Sequence, residues 1–198
     1  HIEGALELPD EPIGLVLFAH GSGSSRHSPR NNYVARVLRE HRVGTLLMDL
    51  LTPEEDLDYS RRFDIDLLVE RLLAAARWVK QNPDTAALKV GYFGASTGAA
   101  AALRAAAEEE SIVAVVSRGG RPDLAPPDAL SRVKAPTLFL VGGQDFGVIE
   151  LNEQAFAYLQ CDKQLVIVPG ATHLFEEPGT LEQVASQAAD WFGKHFRA

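Results

Sequence analysis

Six nearly continuous apolar runs, most of them bounded by glycine or proline, limit what this chain can fold into more than any other feature. They are "IGLVLFA" (13–19), "VGTLLMDL" (43–50), "LKVGYFG" (88–94), "SIVAVVS" (111–117), "APTLFLVG" (135–142) and "QLVIVPG" (164–170). A strand with one wet face alternates apolar and polar residues, so short continuous runs read as strands buried on both faces. Alternation in Ile2 to Leu8 predicts one more short strand, closed by the turn residues Pro9 to Pro12. Helical stripes lie between the runs. Ile65, Leu68, Val69, Leu72, Ala76 and Val79 step by threes and fours until Asn82-Pro83 stops them. Leu181, Val184, Ala185, Ala188 and Phe192 repeat the pattern, and residues 97–109 are dense in alanine. Strand and helix alternating in this order specify an α/β fold, a mostly parallel sheet with helices on both faces. At 198 residues the chain is expected to form one domain.

Charge and cysteine usage narrow the function. A net charge of -8 argues against a nucleic-acid surface or an anionic-membrane partner, since both need clustered positive charge. Cys161 is the only cysteine, so no intrachain disulfide forms. No apolar run approaches the roughly 20 residues of a membrane span. The stretch "HIEGALELP" lacks the regions of a signal peptide, and a cytoplasmic location is expected. Without H-E-x-x-H or comparable ligand spacing, neither a metal nor a cofactor is expected.

Parallel sheets bind ligands at the carboxyl ends of their strands. That rule gathers "HGSGSSRHSPRN", "GASTG", "RGGRPD", "GGQDF" and "GATHLFEEP" on one edge. "GASTG" matches G-x-S-x-G between a predicted strand and a predicted helix, the context of a nucleophile elbow. Ser96 is then the nucleophile; the plainer alternative is a helix N-cap serine. A serine needs a base, and the base needs an orienting carboxylate. Of the two histidines downstream, His173 follows the last strand, whereas His195 ends the last helix as a solvated residue favourable to its dipole. Asp145 follows the preceding strand and is preferred over Glu150, in a helix, and Asp162, before a strand. An Asx turn beside Gly-Gly is the alternative for Asp145, and an ordinary loop histidine for His173. Oxyanion donors are expected from the backbone N–H groups of Thr97 and Ser22. His20, which precedes the serine, is given a structural hydrogen-bonding role. The same edge carries Arg26, His27, Arg30, Arg118 and Arg121 in an otherwise acidic chain. The four arginines either contact an anionic substrate or pair with loop acids such as Asp123, Asp128 and Glu176.

With "LFAHGSGSSRHSPRN", "GYFGASTGAAAAL", "PTLFLVGGQDFGV" and "VPGATHLFEEPG" in view, the chain resembles the α/β-hydrolase superfamily and, within it, the small dienelactone hydrolase-like proteins. The resemblance runs from about Ile13 to Phe192 and implies a hydrolase. It puts nucleophile, acid and base on Ser96, Asp145 and His173, the residues reached independently above. Dienelactone hydrolases use a cysteine nucleophile where a serine stands here, so their substrate does not carry over. The lid insertion of many lipases is missing, because only Arg118 to Pro136 joins two strands at that point. The expected function is a lidless serine hydrolase whose partner is a small carboxylic ester. Thioester or amide cleavage by the same three residues is the nearest rival. A non-catalytic small-molecule binder of the same fold is the second. The "GSGSS" stretch as a phosphate nest lacks both nucleotide-binding glycine motifs.

Overall fold

The computed structural model describes residues 1–198. Its strands are β1 (Gly4–Glu7), β2 (Gly14–Ala19), β3 (Val43–Met48), β4 (Val90–Ala95), β5 (Ile112–Arg118), β6 (Thr137–Gly142) and β7 (Lys163–Val168). They form one seven-stranded sheet in the order β1-β3-β2-β4-β5-β6-β7. Every pairing is parallel except that of β1 with β3. The helices are α1 (Pro29–Glu40), α2 (Pro53–Asp56), α3 (Ile65–Gln81), α4 (Thr97–Glu108), α5 (Pro127–Arg132), α6 (Phe146–Tyr158) and α7 (Thr180–Phe196).

The continuous apolar runs are explained by two cores, one on each face of the sheet. From β2, Leu15, Leu17 and Ala19 enter the core shared with α3, α4, α5 and α6, while Val16 and Phe18 enter the one under α1 and α7. The period of two is present, but both faces are dry, so both sets must be apolar. Alanine density in α4 has the same cause. Ala99 to Ala102 are fully buried, and their small side chains let the helix lie close on the sheet.

Two features depart from the sequence reading. The last apolar run becomes β7, which is only half-buried, with Ile167 38% exposed. It is the outer strand of the sheet, so burial on both faces fails there. Helix α1 carries no apolar stripe strong enough to read from sequence, because its buried positions are only Asn31, Val34, Ala35 and Leu38. Residues 119–136 between β5 and β6 hold a single 3-10 turn and the six-residue α5, so no lid is built there.

The topology fixes where chemistry can occur. From β2 the chain passes to β3 on one side, then returns to β4 on the other side of β2. Connections therefore diverge at the carboxyl ends of β2 and β4 and open a crevice between them. Ser22 leaves β2 at that point, and Ser96 leaves β4.

Candidate functional site

Ser96 stands between β4 and α4 with φ 52° and ψ -122°. A non-glycine residue held there costs about 1–3 kcal/mol, which the surroundings must offset. The packing is tight enough to do so. A Cβ at Gly94 would lie 2.5 Å from Ala99 Cα, and one at Gly98 would lie 2.1 Å from the carbonyl oxygen of Ala19. Only hydrogen fits at either position, so the glycines flanking the serine follow from close approach of strand and helix. The Ser96 carbonyl accepts from Arg121 N–H at 3.0 Å, which braces the turn further. Although Ser96 occupies the N-cap position, its hydroxyl makes no capping hydrogen bond. The N-cap alternative therefore does not describe this side chain.

His173 lies on the loop after β7, and its Nδ1 is 2.7 Å from Asp145 Oδ2, on the loop after β6. A carboxylate accepts, so Nδ1 carries the proton and the neutral ring's Nε2 keeps its lone pair. Several contacts hold the His173 loop. Glu177 accepts from Thr172 N–H at 2.8 Å and from its hydroxyl at 2.7 Å. Those bonds hold the Glu177 carboxyl below its ordinary range. Gly119, at φ 51°, packs beneath the ring; a Cβ there would lie 3.4 Å from His173 Cε1. Ser96, His173, Arg118, Arg30, Asn31 and Ser22 line one polar cleft of about 250 Å³. Within it, no hydrogen bond joins Ser96 Oγ to the His173 ring. Such bonds are often long without substrate and tighten once it binds. A larger hollow, beside β1 and α3, is lined mainly by apolar residues such as Leu46, Met48 and Trp78. Glu3 is the one titratable group on its wall.

The N–H groups of Ser22 and Thr97 have no acceptor in the protein. Gly21 lets this loop pass close to the elbow, since a Cβ there would come 3.1 Å from Ser96 Cβ. His20 sets the loop's orientation. Leu50 N–H donates to its Nε2 at 3.0 Å, so Nδ1 bears the proton and donates to Gly21 O at 2.8 Å. In a trans peptide C=O and N–H point in opposite directions, so fixing Gly21 O also fixes the Ser22 N–H. Burial lowers the His20 pKa, which keeps this ring neutral.

The arginines divide. Arg118 and Arg30 line the cleft. Arg26 does not: its backbone N–H and guanidinium both bind Asp49, and Nη2 pairs with Glu3 at 2.7 Å. Arg121 makes a two-pronged bond to Asp123, at 2.9 and 2.8 Å. Arg26 and Arg121 thus lie outside the cleft lining with their charges matched by acids within reach, the loop-bracing alternative, rather than beside Ser96 as a substrate contact would be. His27 is exposed and outside the cleft lining. His195 also differs from expectation: it packs edge-on against Trp191, its Nε2 is buried without a partner, and burial lowers its pKa. Gly119, Asn31 and Glu177 were not found by sequence reasoning. Only the Gly-Gly at 119–120 carried a local signal. No group of three or more His, Cys, Asp or Glu residues is placed to hold a metal ion, and no helix is long and apolar enough to cross a membrane.

Comparison with known proteins bears on this geometry. The dienelactone hydrolase family model matches residues 58–196. A dienelactone hydrolase from Anabaena variabilis is 59% identical, with a TM-score of 0.94 over 98% of this chain and 92% of that one. Est1E from Butyrivibrio proteoclasticus shares the fold at 18% identity and a TM-score of 0.84, over 100% and 95% of the two chains. Proteins of Mycobacterium tuberculosis named putative phosphoribosyl transferases are 60% identical over 98% of this chain. The chain spans 44% of their length.

Proposed function

The chain belongs to the dienelactone hydrolase family, and we propose that it is a serine hydrolase that cleaves small carboxylic esters, anionic ones included, through an acyl-enzyme. The observation that carries this reading is Ser96 itself. Its hydroxyl is raised on a strained turn, caps nothing, and faces a cleft shared with a histidine already hydrogen-bonded to a carboxylate. In the proposed reaction Ser96 Oγ attacks the carbonyl carbon while His173 Nε2 takes its proton. The oxyanion is received by the Ser22 and Thr97 N–H groups. The ester C–O bond then breaks, and the alcohol departs with the proton held by His173. Water, deprotonated by the same ring, attacks the acyl-enzyme and releases the acid and Ser96. Asp145 holds the tautomer and stabilises the imidazolium.

The name of the mycobacterial relatives belongs to proteins more than twice as long, and phosphoribosyl transfer is not our reading for this chain. Thioester and amide cleavage need the same three residues, so a panel of matched ester, thioester and amide substrates separates them. Labelling with a fluorophosphonate tests the reading as a whole. We expect one label per chain, on the Ser96 peptide, and none in Ser96→Ala. Turnover in that variant should fall by about 10³-fold or more. A wild-type protein that resists the label and cleaves no ester would be a binder rather than an enzyme.

A further inference from the structure

Arg118 is the most unusual side chain in the molecule. It is 8% exposed, yet none of its guanidinium donors has an acceptor in the protein, and Nε is wholly buried and unpartnered. Buried charges are ordinarily paired, because desolvation without compensation is costly. The only support nearby is the Phe175 ring, whose centroid lies 5.9 Å from the guanidinium carbon. Strand pairing puts Arg118 opposite Ala95, the residue before Ser96, so this charge opens beside the proposed nucleophile.

A second cation faces the same space. Arg30 donates from Nε to Leu174 O at 2.7 Å, which holds its guanidinium on the cleft wall. Its one ionic partner, Glu176, lies 3.6 Å away and is two-thirds exposed, which makes the pair weak. The two arginines feel each other. Burial, helped by the Arg30 charge, lowers Arg118 to about 10, so its guanidinium remains protonated at neutral pH. The cleft lining contains no carboxylate. It does contain the hydroxyl-bearing Ser22, Ser24 and Ser28, and Asn31, buried and with no side-chain hydrogen bond. Ser28 caps α1, a twelve-residue helix, so the positive end of its dipole adds to the field.

We propose that this cleft holds a phosphate-type dianion on the ester substrate, with Arg118 as its floor and Arg30 as its wall. The proposal rests on the hydrolase reading above and deepens it. A single carboxylate would offset one guanidinium and leave the other unmatched. A tetrahedral dianion balances both and offers three terminal oxygens to donors arriving from different sides. Because Ser96 lines the same 250 Å³, the ester and the dianion must be separated by only a few bonds.

Direct binding tests this without relying on turnover. Inorganic phosphate and acetate are titrated into the wild-type chain by calorimetry at equal ionic strength, beside fluorophosphonate labelling of the same sample. We expect phosphate to bind at least tenfold more tightly than acetate, and more tightly at pH 8 than at pH 5.5, where the monoanion dominates. Arg118→Met should weaken phosphate by tenfold or more, and Arg30→Gln by less. Should Arg118→Met fail to fold, Arg30→Gln and the pH comparison decide. Equal affinity for the two anions, or phosphate binding untouched by the folded variants, overturns the proposal. The two readings separate cleanly: labelling without phosphate preference removes the dianion and keeps the hydrolase. Phosphate binding without labelling removes the hydrolase and leaves an anion site.

Discussion

The turn after β4 and the loop after β2 meet at one cleft, but different forces hold them. The turn is fixed by backbone contact. Gly94 and Gly98 admit no Cβ, and Ser96 is held in a strained conformation between them. The loop from His20 to Arg30 is held by polar side chains: His20 on Gly21 and Leu50, Arg26 on Asp49 and Glu3, and Asn32 on Arg26 O and Ser28 O. Steric fixation ignores pH and salt and fails sharply when a methyl is added. Polar fixation tolerates small changes of shape but answers to protonation. The two proposed oxyanion donors are split between these regions, Thr97 in the first and Ser22 in the second.

The strongest way to break the comparison is Gly98→Ala. Its Cβ would meet Ala19 O at 2.1 Å and His20 O at 2.6 Å, all of it backbone that cannot swing aside. Overpacking of this kind costs about 1–3 kcal/mol, and backbone clashes lie at the upper end or beyond. Urea denaturation should show a loss of about 3 kcal/mol or more, with ester turnover lost alongside. A variant with wild-type stability would show that the turn is not sterically fixed.

The polar region should respond to His20. His20→Ala leaves the buried Leu50 N–H without an acceptor, at a cost of about 1–3 kcal/mol. It also frees the Gly21–Ser22 peptide, so kcat should drop more than KM rises. The pH dependence has a definite sign. Burial depresses the folded pKa of His20 below the ordinary 6.5, so the unfolded chain binds the proton more readily. Its contribution is complete above pH 6.5 and is lost as pH falls through the folded value. His195, also depressed, acts in the same direction. The informative quantity is therefore the stability difference between wild type and His20→Ala, measured from pH 8 down to pH 5. That difference should shrink on acidification. A constant difference would mean that His20 is not buried in its neutral form.

The same contrast explains what could be read from the sequence. The sheet, the helices α3, α4 and α7, and the approach of Ser96, Asp145 and His173 to one edge all follow from short-range pattern plus the rule for parallel connections. Gly-x-Ser-x-Gly is legible because steric demand acts between neighbours in the chain. The roles of the arginines were not legible. Arg26 finds Asp49 and Glu3, 23 residues away in each direction, and Arg118 finds no acid at all; neither outcome leaves a local trace. Burial of His195 against Trp191 was hidden for a different reason. A terminal-turn histidine reads as solvated unless the packing of its own helix is known.

The smallest expected effect is also the most discriminating between arginines. Arg121 lies on the loop after β5, three residues beyond Arg118, and by composition the two are equivalent. In the structure Arg121 gives its fork to Asp123 two residues on, with its side chain 36% exposed. Exposed pairs contribute about 0.2–1 kcal/mol, because water solvates either partner nearly as well when the other is removed. What Arg121 supplies to the site is its backbone N–H on Ser96 O, and alanine keeps that group. Arg121→Ala should therefore stay within about twofold of wild-type kcat/KM for neutral and anionic esters alike, with stability lowered by less than about 1 kcal/mol. Arg118→Met should instead lose activity selectively on the anionic ester. Measuring both variants on a neutral and a phosphate-bearing ester places the boundary between brace and binding group. A selective loss of the anionic substrate in Arg121→Ala would move that boundary outward, because the Asp123 pair would then have to open when substrate binds.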